Sequence, residues 1–407
     1  MARMEKLDRR NFLMAGTLGA ALPVTAKAQD FLTPAMTTPA EPGAPYGVPA
    51  PSEANVQRLA TPLAQVSAGT ASSRTQLHKL DGIITPSGLH YERHHAGVPQ
   101  IDPAKHRLLL HGLVKKPLEF SVESLLRYPR VSRLAFLECG GNSGGNAAAS
   151  PPQTSVDLIH GLISCSEWTG VPLKLLFDEA GILPDAQWLV AEGGDAASMA
   201  RSLPFKAVYQ HGLLALFQNG ERLRPEQGYP MRLFMPGWEG NLNIKWLQRL
   251  KLVKEPAFTR EETSKYTQLL RDGSARQFDF IMPVKSVILM PSVGMQIKPG
   301  YLEITGLAWS GHGTIRHVEV TVDGGKHWQR ATLTEPLLPQ CMTRFRLEWA
   351  WDGTPVLLQS RAVDDAGNEQ PSHAEWRARF APGQGYHYNA IQSWQVDVNG
   401  QVRNIHA

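Results

Sequence analysis

The chain has 407 residues, with 41 Lys plus Arg against 37 Asp plus Glu, 42% hydrophobic residues and 19% charged ones. This is the composition of an ordinary globular protein long enough for two or three domains, and a net charge of +4 is too dilute to indicate a nucleic-acid partner. The three cysteines, Cys139, Cys165 and Cys341, show no CxxC or CxxCH spacing, which excludes a c-type haem, a four-cysteine cluster or zinc site, and a disulfide scaffold within the chain.

In chain order, Asp8-Arg-Arg-Asn-Phe-Leu-Met14 runs into an uncharged apolar stretch that ends on Ala26-Lys-Ala28, a small-x-small cleavage pattern. The apolar run is about fifteen residues, short of the roughly 20 that span a bilayer. With the paired arginines it predicts a twin-arginine signal peptide over residues 1–28, export to the periplasm, and no membrane span. Residues 29–79 are rich in Pro, Ala, Ser and Thr without helical or strand periodicity, and read as an extended arm or linker. From 80 to 275, apolar runs such as Arg107-Leu-Leu-Leu-His-Gly-Leu-Val114 and Met231-Arg-Leu-Phe-Met235 alternate with helix-like stretches such as Ser121-Val-Glu-Ser-Leu-Leu-Arg127 and Leu173-Lys-Leu-Leu-Phe-Asp-Glu-Ala180. That alternation predicts a mixed α+β domain. After Pro283, alternating strands with turn signals, including Val322-Asp-Gly-Gly325 and Asp364-Asp-Ala-Gly-Asn368, predict an immunoglobulin-like β-sandwich over residues 283–395.

Three clusters carry candidate chemistry. Cys139 stands where the apolar run Phe136-Leu-Glu138 breaks into Gly140-Gly-Asn-Ser-Gly-Gly145. A thiolate there can face a ligand, glycine N–H groups can lower its pKa, and its softness suits a transition metal. The loop lacks the Gly-Lys-Ser/Thr ending of a P-loop. Around His90-Tyr-Glu-Arg-His-His95, the i, i+4 pair His90/His94 matches a helical zinc pair, but flanking Gly and Pro favour an extended segment. On such a segment Arg93 and His95 point the same way, as an oxyanion or phosphate site would require. Arg232 falls on a strand, Lys245 beyond a Gly-rich connection, and the two cations with backbone amides are suited to a phosphate. The ten tryptophans, Trp168 among them, are by themselves more readily core residues.

Taken together, Arg93-His-His95, Leu137-Glu-Cys-Gly-Gly-Asn142, Trp168-Thr-Gly170, Glu192-Gly-Gly-Asp195, Gln227-Gly-Tyr-Pro-Met-Arg232, Pro236-Gly237 and Lys245-Trp-Leu247, followed by Trp309-Ser-Gly311 and Val322-Asp-Gly-Gly-Lys-His-Trp328, resemble the sulfite oxidase family of molybdenum enzymes. Within that family the arginine pair near the start, the absence of a haem domain and the segment Tyr386-His-Tyr-Asn-Ala-Ile-Gln-Ser-Trp394 look like the molybdenum subunits of Sox-type sulfur-oxidising dehydrogenases. The resemblance implies one molybdopterin-bound molybdenum with Cys139 as the protein thiolate ligand. It also implies Arg93 and Tyr266 as catalytic residues, Trp168 lining the substrate pocket, and cofactor contacts from Tyr91, Arg93, His94, His95, Asp195, Gln227, Arg232, Asn243 and Lys245. The implied reaction is oxygen-atom transfer to a reduced sulfur substrate, with a c-type cytochrome subunit accepting the electrons and a homodimer or heterotetramer as the assembly.

Three positions depart from the family pattern. Ser143-Gly144 stands where animal sulfite oxidases carry an arginine pair, Gln227 replaces a pterin-contacting histidine, and Gln392-Ser393 falls where a further arginine is usual. Each charged hydrogen bond lost removes roughly 1.5–3 kcal/mol of anion binding. The expected substrate is therefore sulfane sulfur carried on a partner protein as well as free sulfite. Two other readings remain at this stage. An exported reductase of the same family would lack the sandwich, and a non-catalytic sandwich protein would leave Cys139, Arg93 and Tyr266 unexplained.

Overall fold

The computed structural model describes residues 36, 38, 39, 42–61 and 69–407. The sequence-predicted signal peptide lies outside the described residues. The chain divides into two units at Asn55 and Val56. In the first unit the described residues from 42 on are exposed and carry one 3-10 turn, Pro51–Glu53.

The second unit begins with a three-stranded antiparallel sheet of β1 (Leu59–Thr61), β2 (Ala71–Arg74) and β3 (Glu92–His94). Here the structure corrects the arm assigned to residues 29–79, because its last part is built into a sheet. Ser72 and Ser73 of β2 are buried, and the Ser73 hydroxyl donates to Glu92 Oε1 at 3.0 Å. Buried serines satisfied by hydrogen bonds leave no apolar alternation to read.

Two five-stranded sheets follow. One is formed by β4 (Arg107–Gly112), β5 (Leu118–Ser121), β8 (Trp188–Gly193), β9 (Ala200–Pro204) and β13 (Leu247–Val253), with β4 and β13 parallel. The other joins β6 (Val131–Glu138), β7 (Ile163–Pro172), β10 (Leu213–Gln218), β11 (Glu221–Arg222) and β12 (Arg232–Phe234). Helices are few and short. Leu173–Ala180 forms where the sequence places it and buries Leu173, Leu176, Phe177 and Ala180. The Ser121 stretch gives only Val122–Leu125, capped by its serine side chain, which accepts from Ser124 N–H. The hairpin of β14 (Gln268–Leu269) and β15 (Ala275–Arg276) leads out of this domain.

The sandwich packs β16 (Lys285–Met290), β17 (Gly300–Trp309), β20 (Thr332–Leu333) and β21 (Thr343–Trp351) against β18 (Ile315–Thr321), β19 (Gln329–Arg330), β22 (Val356–Asp364), β23 (Ser393–Val396) and β24 (Val402–Ile405). The predicted turn glycines Gly324, Gly325 and Gly367 all take positive φ. The last strand extends the sandwich past residue 395. A single apolar cluster crosses from this domain to the one before it, joining Trp309, Met342 and Phe345 to Phe136, Ile163 and Cys165. Cys165 and Cys341 are core residues, as the sequence suggests. Among the described residues no helix is long and apolar enough to cross a membrane.

Candidate active site

Strand β6 ends at Glu138, and Cys139 starts a tight loop in which the amides of Asn142 and Gly144 donate to the carbonyls of Cys139 and Gly141. The Cys139 amide is itself held by Leu162 O at 3.0 Å, so the position of the thiol is fixed by the sheet. It opens onto a cleft whose empty space, part of it continuous with solvent, is about 670 Å³. Eleven of the twelve sequence-assigned residues line this cleft: Tyr91, Arg93, His94, His95, Cys139, Asp195, Gln227, Arg232, Asn243, Lys245 and Tyr266.

Trp168 is the exception and corrects the substrate-pocket reading. It is fully buried, stacks on Phe234 at 4.7 Å and donates from its indole to Ala135 O at 3.3 Å. The Arg232 guanidinium lies 5.0 Å from its ring, a cation–π contact. Strand alternation does not single out Arg93 and His95, because β3 stops at His94 and every residue from Tyr91 to His95 reaches the cleft. His90 lies outside the cleft lining, packed edge-on to Trp168, so it makes no ligand pair with His94 there.

The cleft is cationic by construction. Arg232 bonds the carbonyls of Gln227 (3.0 Å) and Asn243 (2.9 Å), which spends two of its nitrogens and holds the guanidinium rigid. Lys245 donates to Arg93 O and Glu226 O, both at 3.1 Å, and lies 2.8 Å from His94 Nδ1. Burial, with Arg232 nearby, pushes the lysine down to about 7. Gln227, where a histidine was expected, donates to Tyr91 O at 2.9 Å and so ties β3 to the 225–227 turn. Asn243 spends its side chain on Met235 N–H and on the carbonyls of Trp238 and Glu239. The Tyr266 hydroxyl sits 3.3 Å from His95 Nε2, and the Arg201 guanidinium lies 5.0 Å from its ring. Burial raises the tyrosine well above 10, while burial and Arg93 push His95 down to about 4.

The Cys139 thiol differs from the sequence expectation in one respect. Burial raises its pKa and outweighs the Gly141 amide, with Glu239 and Glu138 adding to the rise. A bound cation would reverse that balance, since a coordinated thiol is deprotonated outright. Among the described residues no three His, Cys, Asp or Glu side chains converge as a ligand set.

The departures at Ser143, Gly144 and Gln392 lead away from the cleft. Ser143 Oγ accepts from Lys285 Nζ at 2.6 Å and meets His160 Nδ1 at 2.6 Å. Gln392 Oε1 accepts from Asn146 at 2.7 Å, and Gly144 abuts Gly385. All three serve the seam between the two domains. A charged cluster with no sequence signal stands behind the thiol loop, where Glu239 abuts Gly140. Arg201 is paired with Glu262 (2.8 Å) and Glu239 (3.6 Å), and His387 lies 3.4 Å from Glu239.

The comparisons agree with this geometry. Residues 95–260 match the family described as the oxidoreductase molybdopterin binding domain, and residues 276–394 match the Mo-co oxidoreductase dimerisation domain. The chain is 28% identical to sulfite oxidase of Gallus gallus over 338 residues, 75% of this chain and 72% of that protein. It is 29% identical to mitochondrial sulfite oxidase of Mus musculus over 343 residues, 77% of this chain and 62% of that protein. The crystal structure of the sulfane dehydrogenase SoxCD from Paracoccus pantotrophus superposes with a TM-score of 0.89 at 43% identity, covering 93% of this chain and 98% of that one. The fold and the cleft define a molybdopterin-binding oxidoreductase. The chain belongs to the sulfite oxidase family.

The residues present fit the cofactor that this family implies. Arg232 Nε, Asp195 Oδ1 and both amide atoms of Asn241 are buried at the cleft without a protein partner. Buried polar atoms are nearly always satisfied in native proteins, and the phosphate and hydrogen-bonding edges of a molybdopterin supply both acceptors and donors.

Proposed function

We propose that the protein is an exported molybdenum-dependent dehydrogenase that oxidises reduced sulfur, taking sulfane sulfur carried on a partner protein as well as sulfite. The observation that carries this reading is that Cys139, Arg93, Arg232, Lys245 and Tyr266 share one cleft. When bound, the cofactor supplies two-electron oxygen-atom transfer chemistry to sulfur. The chain's own residues bind and orient. Arg232 and Lys245 hold the phosphate end, and Cys139 supplies the thiolate. Arg93 offsets the charge of an oxyanion substrate. Tyr266 keeps its proton at any working pH, and its hydroxyl meets Nε2 of neutral His95 at 3.3 Å, so the ring is held beside the substrate. Per turnover, sulfur gains an oxygen that derives from water, two electrons leave to an acceptor, and two protons pass to solvent.

Because the chain has no CxxCH spacing, a separate c-type cytochrome subunit serves as the acceptor. The twin-arginine pattern supports a periplasmic location, and the sandwich supports a homodimer or a heterotetramer with the cytochrome. The sandwich also favours this reading over a reductase that lacks one. The higher identity to a sulfane dehydrogenase than to the animal sulfite oxidases supports the carrier-bound substrate.

The test is metal analysis after expression with molybdate. Wild type should hold close to one molybdenum per chain, and Cys139→Ser should lose turnover with both sulfite and a persulfide carrier. Molybdenum below about a tenth of an equivalent in wild type refutes the enzyme, and turnover by Cys139→Ser refutes the ligand.

A further inference from the structure

Beside the contacts of Lys285 and Gly385, the loop that carries Cys139 is gripped from the far domain at Gly140, next to the thiol in the chain, by His387. His387 lies on the connection between Phe380 and Ser393 of the sandwich, and its backbone amide donates to Gly140 O at 2.8 Å. Its φ is 53°, a left-handed backbone that a residue other than glycine keeps only where its surroundings hold it. The same residue reaches Gly140 a second time through its side chain. Imidazole Nε2 is 3.4 Å from Glu239 Oε1, and that oxygen occupies the place of a missing side chain: a Cβ on Gly140 would lie 1.8 Å from it. The Glu239 carboxylate is fixed from the other side by Arg201, 3.6 Å from Oε2.

On its outer edge the His387 ring faces Asp279, with Nδ1 3.5 Å from Oδ2. Burial works against a charge on this histidine, but Glu239 and Asp279 outweigh it and raise the imidazole to about 10. It is therefore a cation clamped between two carboxylates. Two residues earlier the connection touches the loop again: Gly385 and Gly144 lie back to back, and a Cβ on Gly144 would come 2.7 Å from Gly385 O. The loop thus has no room for side chains at 140 and 144, because this connection and Glu239 fill it.

We propose that His387 is a positioning residue for the Cys139 thiolate, holding the ligand loop through Gly140 O and through Glu239. The proposal rests on Cys139 being the metal ligand. His387 does not line the cleft and acts on the thiolate through Gly140, next to it in the chain. The structure places this control in the dimerisation domain, which gives that domain a part in the chemistry of the other.

The test compares wild type, His387→Gln and the milder Asp279→Asn in the full chain. In cofactor-free protein, amide exchange at Asn142 and Ser143 should quicken about tenfold in His387→Gln and less in Asp279→Asn, since local opening becomes easier. In loaded enzyme, kcat should fall about tenfold with KM within about twofold, the mark of a group set for the transition state rather than for binding. The Mo(V) electron paramagnetic resonance signal should shift as well. Unchanged exchange overturns the proposal. Faster exchange with unchanged resonance and kcat overturns it too, because the role would then be structural only. If wild type binds no molybdenum, the proposed function fails, while the exchange contrast still reports whether His387 holds the loop.

Discussion

Lys285 and Glu138 form an ion pair across the domain seam, and breaking it should be costly in a way the structure quantifies. Lys285, 3% exposed, holds Nζ 3.5 Å from Glu138 Oε1 and 2.6 Å from Ser143 Oγ. The carboxylate, equally buried, also accepts from Asn142 Nδ2 at 2.9 Å and from Trp309 Nε1 at 2.7 Å. At an effective dielectric of about 20, attraction at this separation is worth about 5 kcal/mol, most of which offsets desolvation. Burial pushes Lys285 below its ordinary pKa, which is the desolvation expressed as proton affinity. Lys285→Met keeps the length of the side chain and strands the carboxylate. The expected loss of stability is about 3–5 kcal/mol, because one uncompensated buried charge remains. Glu138→Gln with Lys285→Met removes both charges and should recover at least about 2 kcal/mol of that loss. Urea unfolding followed by tryptophan fluorescence, which includes the seam residue Trp309, measures both. A single variant within about 1 kcal/mol of wild type, or a double variant as unstable as the sum of the singles, refutes the argument.

Two further expectations follow from the cleft. Trp168→Phe should cost about 1–3 kcal/mol of stability through the lost indole bond to Ala135 O, yet leave KM within about twofold, because the ring does not line the cleft. A tenfold rise in KM would restore its substrate-pocket role. Lys245 is lowered to about 7 in the folded chain from 10.5, so between those values the unfolded chain binds more protons. Cofactor-free protein should therefore gain stability as pH rises from about 7 to about 10.5, by no more than about 1.4 kcal/mol per unit, and Lys245→Met should flatten that slope. An unchanged slope in the variant would show that Lys245 is not the group responsible.

The Cys139 loop was legible because an apolar strand that breaks into glycines is a local signal, and the sandwich because its alternation and turn glycines repeat along the chain. β2 was not, since its buried residues are serines held by hydrogen bonds. Arg201, Glu239 and His387 were invisible for a different reason. They lie far apart in the chain, and each alone reads as a surface charge, so burial in one cluster is a property of the folded chain only. Trp168 misled because a resemblance assigns a role to a position, whereas the packing of β7 against β6 and β10 decides which rings reach the cleft.

Polar residues such as Ser143 and Gln392 at the domain seam add what apolar packing lacks. An apolar interface alone tolerates sliding, because dispersion and burial have little directional preference. The cluster that joins Phe136 and Ile163 to Trp309 and Phe345 supplies attraction of that kind. The ties through Ser143 and Lys285, Glu138 and Trp309, and Asn146 and Gln392 are directional and permit one register. Glu138 is the residue immediately before Cys139, so fixing the register of the sandwich on β6 also fixes where the thiolate stands in the cleft. Ser143, which accepts from Lys285 across the seam, takes part in that placement.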